Sequence, residues 1–202
     1  MQRRKFLQAS AVSGLGLLVP GRAAAANIRK MSGRVYINKT VATPDMQIHA
    51  GDLVTTSHDG RIAFTVANDA FLLKERTSIQ VGESGNSLIS LFQLLTGKLL
   101  SVFETGRSRS IITPNATIGI RGTGCFLKVV PSSIYYCNCY GKTTLNAGGH
   151  VEQFEATHHN AHQIKFDGEQ MMGMQVMAVV DHDDDELREL EGYVGRVPAF
   201  DR

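Results

Sequence analysis

Between residues 33 and 145, apolar and β-branched residues alternate with polar ones over short segments that glycine-containing turns separate. Alternation with a period of two residues is typical of strands that bury one face. Turns such as Asp59–Gly60 supply the positive φ that a tight hairpin needs. The apolar segment Leu88–Leu95 is interpreted as a further strand, which ends at the Thr96–Gly97 break. Strands at intervals of about 8 to 12 residues indicate an all-β sandwich or roll of many short strands.

The stretch from Ile111 to Gly141 is rich in β-branched and aromatic residues and contains all three cysteines of the chain. Such residues suit a pleated, half-buried surface, so the stretch is predicted to contain strands. Arg121, Gly122 and Thr123 are predicted to form a structural turn between them. The planar guanidinium of Arg121 can bond several backbone carbonyls in such a turn, and we expect that bracing role for it.

The composition changes after residue 145, where a His- and Met-rich extension is predicted over residues 146–202. One short helix is expected within it, at about residues 183–192. Asp183 and Glu186 have the spacing of a capping box, and Gly192 follows the last helical turn. Leu187, together with Leu190 and Val194, would give this helix an apolar stripe that packs on the sheet.

The first 26 residues are predicted to be a cleavable export signal. Gln2–Gln8, with its paired arginines, resembles a twin-arginine signal, and the apolar run Ala9–Val19 and the alanines Ala23–Ala26 follow it. The apolar run is too short to anchor the chain in a bilayer. The segment holds four basic and no acidic residues, so its removal changes the formal net charge from +2 to −2. We therefore expect a periplasmic or otherwise exported chain with no membrane span and no nucleic-acid partner.

Four sequence blocks resemble the FecR domain family and occur in that family's order. The most specific block is a threonine–proline step that leads to a glycine, a hydrophobic residue and arginine–glycine–threonine. The blocks are Gly51–Thr56 (GDLVTT), Gly60–Val66 (GRIAFTV), Leu94–Leu99 (LLTGKL) and Thr113–Thr123 (TPNATIGIRGT).

The resemblance implies an extracytoplasmic β-domain, placed here at residues 33–145, that reads a signal or binds a partner and catalyses no reaction. The sequence departs from the transmembrane iron-citrate regulator of that family, because it lacks an amino-terminal cytoplasmic segment and a later membrane span. Any signal would therefore pass through another envelope or membrane signalling protein.

Cys137 and Cys139 are two residues apart, so on a strand both thiols point to the same face. If Pro131–Ser133 turns the chain into a hairpin, Cys125 falls opposite Cys139 within one residue of register. Three thiols would then gather in one patch of the sheet.

A histidine cluster follows the cysteines in the sequence. Thiolate and imidazole are the ligands that zinc, copper and iron centres prefer in proteins. The sequence leaves the ion open among these three, and it leaves open a chain with no cofactor. The candidate metal ligands are Cys137, Cys139, His158, His159 and His162.

Two simpler interpretations compete with the metal site. Two of the three cysteines can form a cross-strand disulfide in an oxidising compartment, Cys125 with Cys139 or with Cys137. The histidines can form a solvated polar turn. His182, directly before the predicted helix, is interpreted as a residue that leads into the helix rather than as a ligand.

Known catalytic motifs are absent from the sequence, which has no nucleophile elbow, P-loop, zinc-protease helix or dinucleotide-binding loop. Three hypotheses remain. The first is an exported, non-enzymatic FecR-like binding or signalling module with an added metal site. The second is a metal- or cluster-dependent periplasmic redox protein, and the third is a structural envelope protein with a disulfide.

Overall fold

A computed structural model describes residues 26–82 and 89–202 of the chain. The predicted export signal lies outside the described residues except for its last alanine. The all-β prediction with one short C-terminal helix is confirmed, because fourteen strands and one α-helix make up the regular structure of the described part. No helix in these two ranges is long and apolar enough to span a membrane.

The strands differ widely in length, and three of them are much longer than the sequence predicts. They are β1 (Ile28–Ser32), β2 (Val35–Ile37), β3 (Thr40–Val41), β4 (Leu53–Thr56), β5 (Arg61–Val66), β6 (Asp69–Leu73), β7 (Ser78–Gln80), β8 (Ile89–Val102), β9 (Ser108–Ile112), β10 (Ala116–Val130), β11 (Ser133–Ala147), β12 (His150–Ala156), β13 (Asn160–Asp167) and β14 (Gln170–Met177). The helix α1 (Asp184–Tyr193) and a short 3₁₀ turn (Ala199–Asp201) follow.

All fourteen strands belong to one hydrogen-bonded sheet, which the three long strands organise. Its main path runs β14-β13-β11-β10-β9-β8-β7-β4-β2-β3, with β12 paired to β11 and the series β1-β5-β6 joined to β8. Strand β10 pairs with β8 over residues 124–129 and with β9 over residues 117–121. Strand β9 therefore fills the space where β8 and β10 diverge.

The predicted break at Thr96–Gly97 is wrong, because β8 continues through it. Gly97 has a φ of +96°, and the pairing register of β7 and β8 shifts next to it. A Cβ atom at Gly97 would lie 2.4 Å from the Cα of Thr77. The glycine thus serves as a bulge that lets two strands approach closely, which a sequence pattern cannot distinguish from a turn.

The structure also corrects the expected turn at Arg121, Gly122 and Thr123. These residues form a bulge inside β10, where Gly122 has a φ of +61°. The buried Thr123 hydroxyl donates to Oδ1 of Asn138 at 3.0 Å, and the Asn138 amide donates to the carbonyl of Gly141 at 2.9 Å. Arg121 is exposed, and its guanidinium makes no hydrogen bond within the described residues. Thr123, rather than Arg121, braces the bulge.

The domain boundaries expected from the sequence do not coincide with breaks in the sheet. Strand β1 pairs with β5 and begins before residue 33. The boundary between residues 145 and 146 falls inside β11, whose two halves pair with β12 and β13. The predicted extension therefore continues the same sheet.

Residues 178–202, here called the C-terminal arm, cover one face of the sheet. Asp183 caps α1 by accepting a hydrogen bond from the backbone amide of Glu186 at 2.9 Å, as the capping pattern predicts. The apolar arm residues that pack against the sheet are Leu187, Leu190, Tyr193, Val194 and Phe200. This arm encloses a second core, while the larger core lies on the opposite face.

A buried ion pair fixes the start of α1 on the sheet. The ammonium of Lys74, whose side chain is 9% exposed, lies 2.8 Å from both carboxylate oxygens of Glu186. Lys74 also donates to the carbonyl of Asp181, and Arg61 binds Glu186. Since a buried charge is costly unless paired, these contacts specify where the arm docks.

We expect Thr123→Val to lower the free energy of unfolding by about 1 to 3 kcal/mol, because Asn138 loses a donor in a buried position. Arg121→Ala should change it by less than about 0.5 kcal/mol, since its side chain is exposed. Urea denaturation of both variants beside the unmodified chain measures the difference. A larger loss in Arg121→Ala than in Thr123→Val would restore the bracing role to the arginine.

Candidate metal centre

The β10–β11 hairpin places two thiols on the face that the C-terminal arm covers. Cys137 pairs with Phe126 of β10, and both side chains belong to the second core. Cys139 is the extra residue of a bulge in β11, because Asn138 and Tyr140 pair with the adjacent residues Cys125 and Gly124. Both thiols are fully buried, and their Sγ atoms are 4.0 Å apart.

Gly124 makes room for this bulge. A Cβ atom at this position would lie 2.6 Å from the ring of Tyr140, so a larger residue would push the tyrosine away. The Tyr140 hydroxyl donates to Oε1 of Glu191 in the arm at 2.5 Å. The glycine-rich pattern of the strand thus supports the local geometry that aims Cys139 toward the arm.

Cys125 does not join the other two thiols, in contrast to the three-thiol patch expected from the sequence. It pairs with Asn138, so its side chain enters the larger core on the opposite face, with Sγ 3.4 Å from Oγ of Ser101. A difference of one residue in register reverses the face of a strand residue. All three cysteines lie in the described part of the chain and are free thiols, so neither predicted disulfide of Cys125 is formed.

His159 reaches the thiols from the turn between β12 and β13. Its Nδ1 lies 3.5 Å from Sγ of Cys137, and its Nε2 lies 2.9 Å from Oδ1 of Asp184. The backbone adopts a φ of +46° at His159, and its amide donates to the carbonyl of Cys139 at 2.8 Å. A positive φ at a residue other than glycine is uncommon, and such conformations cluster at functional sites.

His182 reaches the thiols from the segment between β14 and α1. Its Nε2 lies 3.5 Å from Sγ of Cys139, while its Nδ1 donates to the carbonyl of Val180 at 2.9 Å. That donation leaves the lone pair of a neutral imidazole on Nε2, directed at the thiol. The ring stacks on Phe126 at a centroid distance of 4.5 Å and an angle of 14°, which fixes its orientation.

The other two predicted histidine ligands lie outside this group. His162 is next to Ala161, which pairs with Cys137, so its ring points to the opposite face and packs near Phe154. His158 lies at the surface, with Nε2 2.9 Å from Oδ1 of Asp184. Of the five predicted ligands, the structure brings together Cys137, Cys139 and His159.

The sequence interpretation missed two residues, His182 and Asp184. Both lie at the start of the helix. There, the helix itself explains a histidine before the cap and acidic residues in the first turn, because acidic side chains interact favourably with the helix dipole. The only sequence signal is that His182 and Asp184 flank the capping residue Asp183. Their partners are distant in the sequence, so the spacing alone does not reveal them.

The distances fit a tetrahedral ion with two sulfur and two nitrogen ligands. Zinc bond lengths of about 2.3 Å to sulfur and about 2.05 Å to nitrogen imply separations of about 3.8 Å between sulfurs and about 3.6 Å between sulfur and nitrogen. The corresponding separations here are 4.0 Å between the thiols, 3.5 Å from Cys137 to His159 and 3.5 Å from Cys139 to His182. The four ligand atoms lie within 4.8 Å of one another.

Hydrogen bonds behind each imidazole complete the arrangement. Metal-binding histidines commonly donate their second nitrogen to a carboxylate or a backbone carbonyl, which orients the ring and raises its basicity. His159 has the carboxylate of Asp184 in this position, and His182 has the carbonyl of Val180. Both rings are therefore held with their free nitrogen toward the thiols.

The electrostatics favour one thiolate in this group even without an ion. Hydrogen bonding with Cys139, and then with His159 and His182, lowers the pKa of the Cys137 thiol well below its ordinary value. Burial, and then the neighbouring Cys137, raise the pKa of Cys139. The hydrogen bond with Cys137, followed by the one with Asp184, raises the pKa of His159. The proton of Cys137 thus dissociates easily, whereas loss of the proton of Cys139 requires a cation, such as a metal ion, that stabilises the second thiolate.

The fold is similar to that of a "putative anti-sigma factor" from Parabacteroides distasonis in two crystal structures. The TM-scores are 0.54 and 0.53, the sequence identity is 12% in each case, and each match covers 61% of this chain and 59% of that chain. At this identity the likeness concerns the fold alone. No protein-family model matches the chain, and no curated protein sequence matches it.

We expect the metal-free, reduced protein to contain about one thiolate per chain at neutral pH, because the environment of Cys137 lowers its pKa. Absorbance at 240 nm, compared between folded and denatured protein, measures this thiolate. His159→Gln should remove much of the signal, while Cys125→Ser should leave it unchanged. Equal absorbance in His159→Gln and the unmodified chain would contradict the assigned thiolate–imidazole pair.

Proposed function

We propose that this chain is an exported, non-enzymatic, FecR-like binding or signalling module that holds a metal ion between its sheet and its C-terminal arm. The ligands in this proposal are Cys137, Cys139, His159 and His182. The observation that carries the proposal is the convergence of two thiols and two imidazoles, in which each imidazole has a hydrogen-bond acceptor behind it. A tetrahedral set of two sulfurs and two nitrogens favours zinc among the ions left open by the sequence.

The ion would have a structural role in this proposal. Its ligands come from β11, from the β12–β13 turn and from the residue before the capped helix, so one ion would tie three elements together. Four protein ligands fill a tetrahedral zinc site and leave no position for a reactive water molecule. The ligand set therefore supports a binding or signalling module more strongly than a metal-dependent hydrolase.

The signalling part of the proposal has separate support. The four FecR-like sequence blocks imply an extracytoplasmic domain that reads a signal, and the amino-terminal segment resembles an export signal. The solved structures with a similar fold carry the name of an anti-sigma factor. The expected partner is another envelope or membrane signalling protein.

A redox role of the same thiols is the second candidate. Cys137 and Cys139 lie on one face with their sulfurs 4.0 Å apart, and the lowered pKa of Cys137 favours a reactive thiolate. Complete burial of both sulfurs and two preoriented imidazoles favour metal binding instead. A metal centre protects both thiols from oxidation, whereas a redox pair cycles between two thiols and a disulfide without an ion.

The metal content of the protein tests the proposal. We expect one zinc ion per chain in the untagged mature protein, and loss of the ion in Cys137→Ser, Cys139→Ser, His159→Gln and His182→Gln. Mass spectrometry under native conditions measures the stoichiometry. Cys125→Ser and His162→Gln are matched controls that should keep the ion, because both side chains point to the other face. A protein that binds no ion but forms a reversible disulfide would support the redox role instead.

The carboxylate behind His159 gives a second, graded test. Asp184→Asn should weaken metal affinity by about 10- to 100-fold, the usual effect of removing an outer hydrogen-bond partner. Competition with a chromophoric chelator measures the affinity. Asp185→Asn is the control, since this neighbouring side chain is 91% exposed and contacts Arg188. Equal affinity in the two variants would contradict the orienting role of Asp184.

A further inference from the structure

The candidate metal centre becomes progressively more exposed in one direction. Cys137 and Cys139 are fully buried, and His182 is 8% exposed. The exposed fraction of the side chain is 11% at His159, 32% at Asp184 and 48% at His158. A path from the thiols toward solvent therefore passes His159, then Asp184 and His158.

The outer part of this path has a ligand set of its own. Oδ1 of Asp184 lies 2.9 Å from Nε2 of both His158 and His159, and one ligand atom from each of the three residues lies within 4.8 Å of the others. His159 belongs to this outer group through Nε2 and to the inner centre through Nδ1. The two groups are thus joined by a single imidazole ring.

An open groove of about 660 Å³ gives this outer group access to solvent. His158 and Asp184 line it together with Phe200 and Asp201, and the His158 ring packs at 4.7 Å from the ring of Phe200. A hydrated ion needs such a space, because it reaches a buried site only after exchanging its water molecules for protein ligands. The aromatic contact keeps the imidazole at the edge of the groove.

We propose that His158 and Asp184 form a loading site, at which a divalent ion such as zinc is first captured before it reaches the inner centre. The proposal rests on the proposed metal centre and adds the route by which it is filled. A carboxylate and an imidazole replace part of the hydration shell at the surface. His159 then provides the next ligand through Nδ1, which faces the thiols, while its Nε2 stays bonded to Asp184.

This role has a kinetic signature that differs from the signature of a resident ligand. A group that binds the ion only on its way in and out lowers the barrier in both directions by the same amount. Its removal slows uptake and release by the same factor and leaves the dissociation constant unchanged. Removal of a resident ligand, in contrast, lowers the affinity.

The experiment uses the metal-free, reduced mature chain and Co²⁺ as the probe. Stopped-flow measurement of the sulfur-to-cobalt absorption gives the uptake rate, and transfer to excess chelator gives the release rate. We expect His158→Gln to slow both by about tenfold, the lower end of the effect that charged clefts have on association rates. His150→Gln is the matched control, because His150 is also an exposed histidine beside a carboxylate, on β12.

The outcomes separate this inference from the proposed function. No cobalt absorption in the unmodified chain would overturn the metal centre itself. Normal binding with equal rates in His158→Gln and His150→Gln would overturn the loading site alone. A loss of affinity in His158→Gln without slower uptake would make His158 a resident ligand and would also overturn it.

Discussion

The register between β10 and β11 is the constraint on which the rest of this structure depends. It pairs Phe126 with Cys137 and Cys125 with Asn138, which divides the three thiols between two faces of the sheet. The two-residue spacing keeps Cys139 on the same face as Cys137, and the bulge at Cys139 brings Tyr140 to that face as well. On the other face, Thr123 and Asn138 satisfy each other's polar groups in the bulge region. A shift by one residue would move the thiols of Cys137 and Cys139 into the larger core and the amide of Asn138 into the second core. Each core would then contain a polar group without its partner.

The C-terminal arm completes what the hairpin begins. The sheet supplies apolar residues and two buried thiols, while the arm supplies the leucines of α1, His182 and the carboxylate behind His159. Residues of both signs fix the docking, because Lys74 and Arg61 on the sheet bind Glu186 at the start of the helix. The same few residues at the beginning of α1 thus cap the helix, attach it to the sheet and complete the candidate metal centre.

Local patterns in the sequence were sufficient for the all-β class and for the helix cap, since both depend on residues that are near one another, but they did not distinguish the bulges of β8 and β10 from turns. The Asp183 cap and the apolar residues Leu187 and Leu190 are examples. The candidate metal centre could be predicted only in part, because it depends on which strand residues face each other. Spacing placed Cys137 and Cys139 together, but the face of Cys125 required the exact pairing with β11. The residues next to His182 in the sequence indicate only a lead-in to the helix. What indicates a metal ligand is the contact of its Nε2 with Sγ of Cys139, more than forty residues earlier in the chain.

The buried ammonium of Lys74 has a consequence for how the chain can be divided. Lys74 belongs to the region predicted as a separate domain over residues 33–145, yet its carboxylate partner is Glu186 in the arm, and strand β11 crosses the predicted boundary. Cutting the chain at that boundary would leave an uncompensated cation beside an uncovered apolar surface. The ion pair of Lys74, the apolar contacts of the arm and the course of β11 therefore join the two regions into one packed structure, in which the position of the arm depends on the sheet residues beneath it.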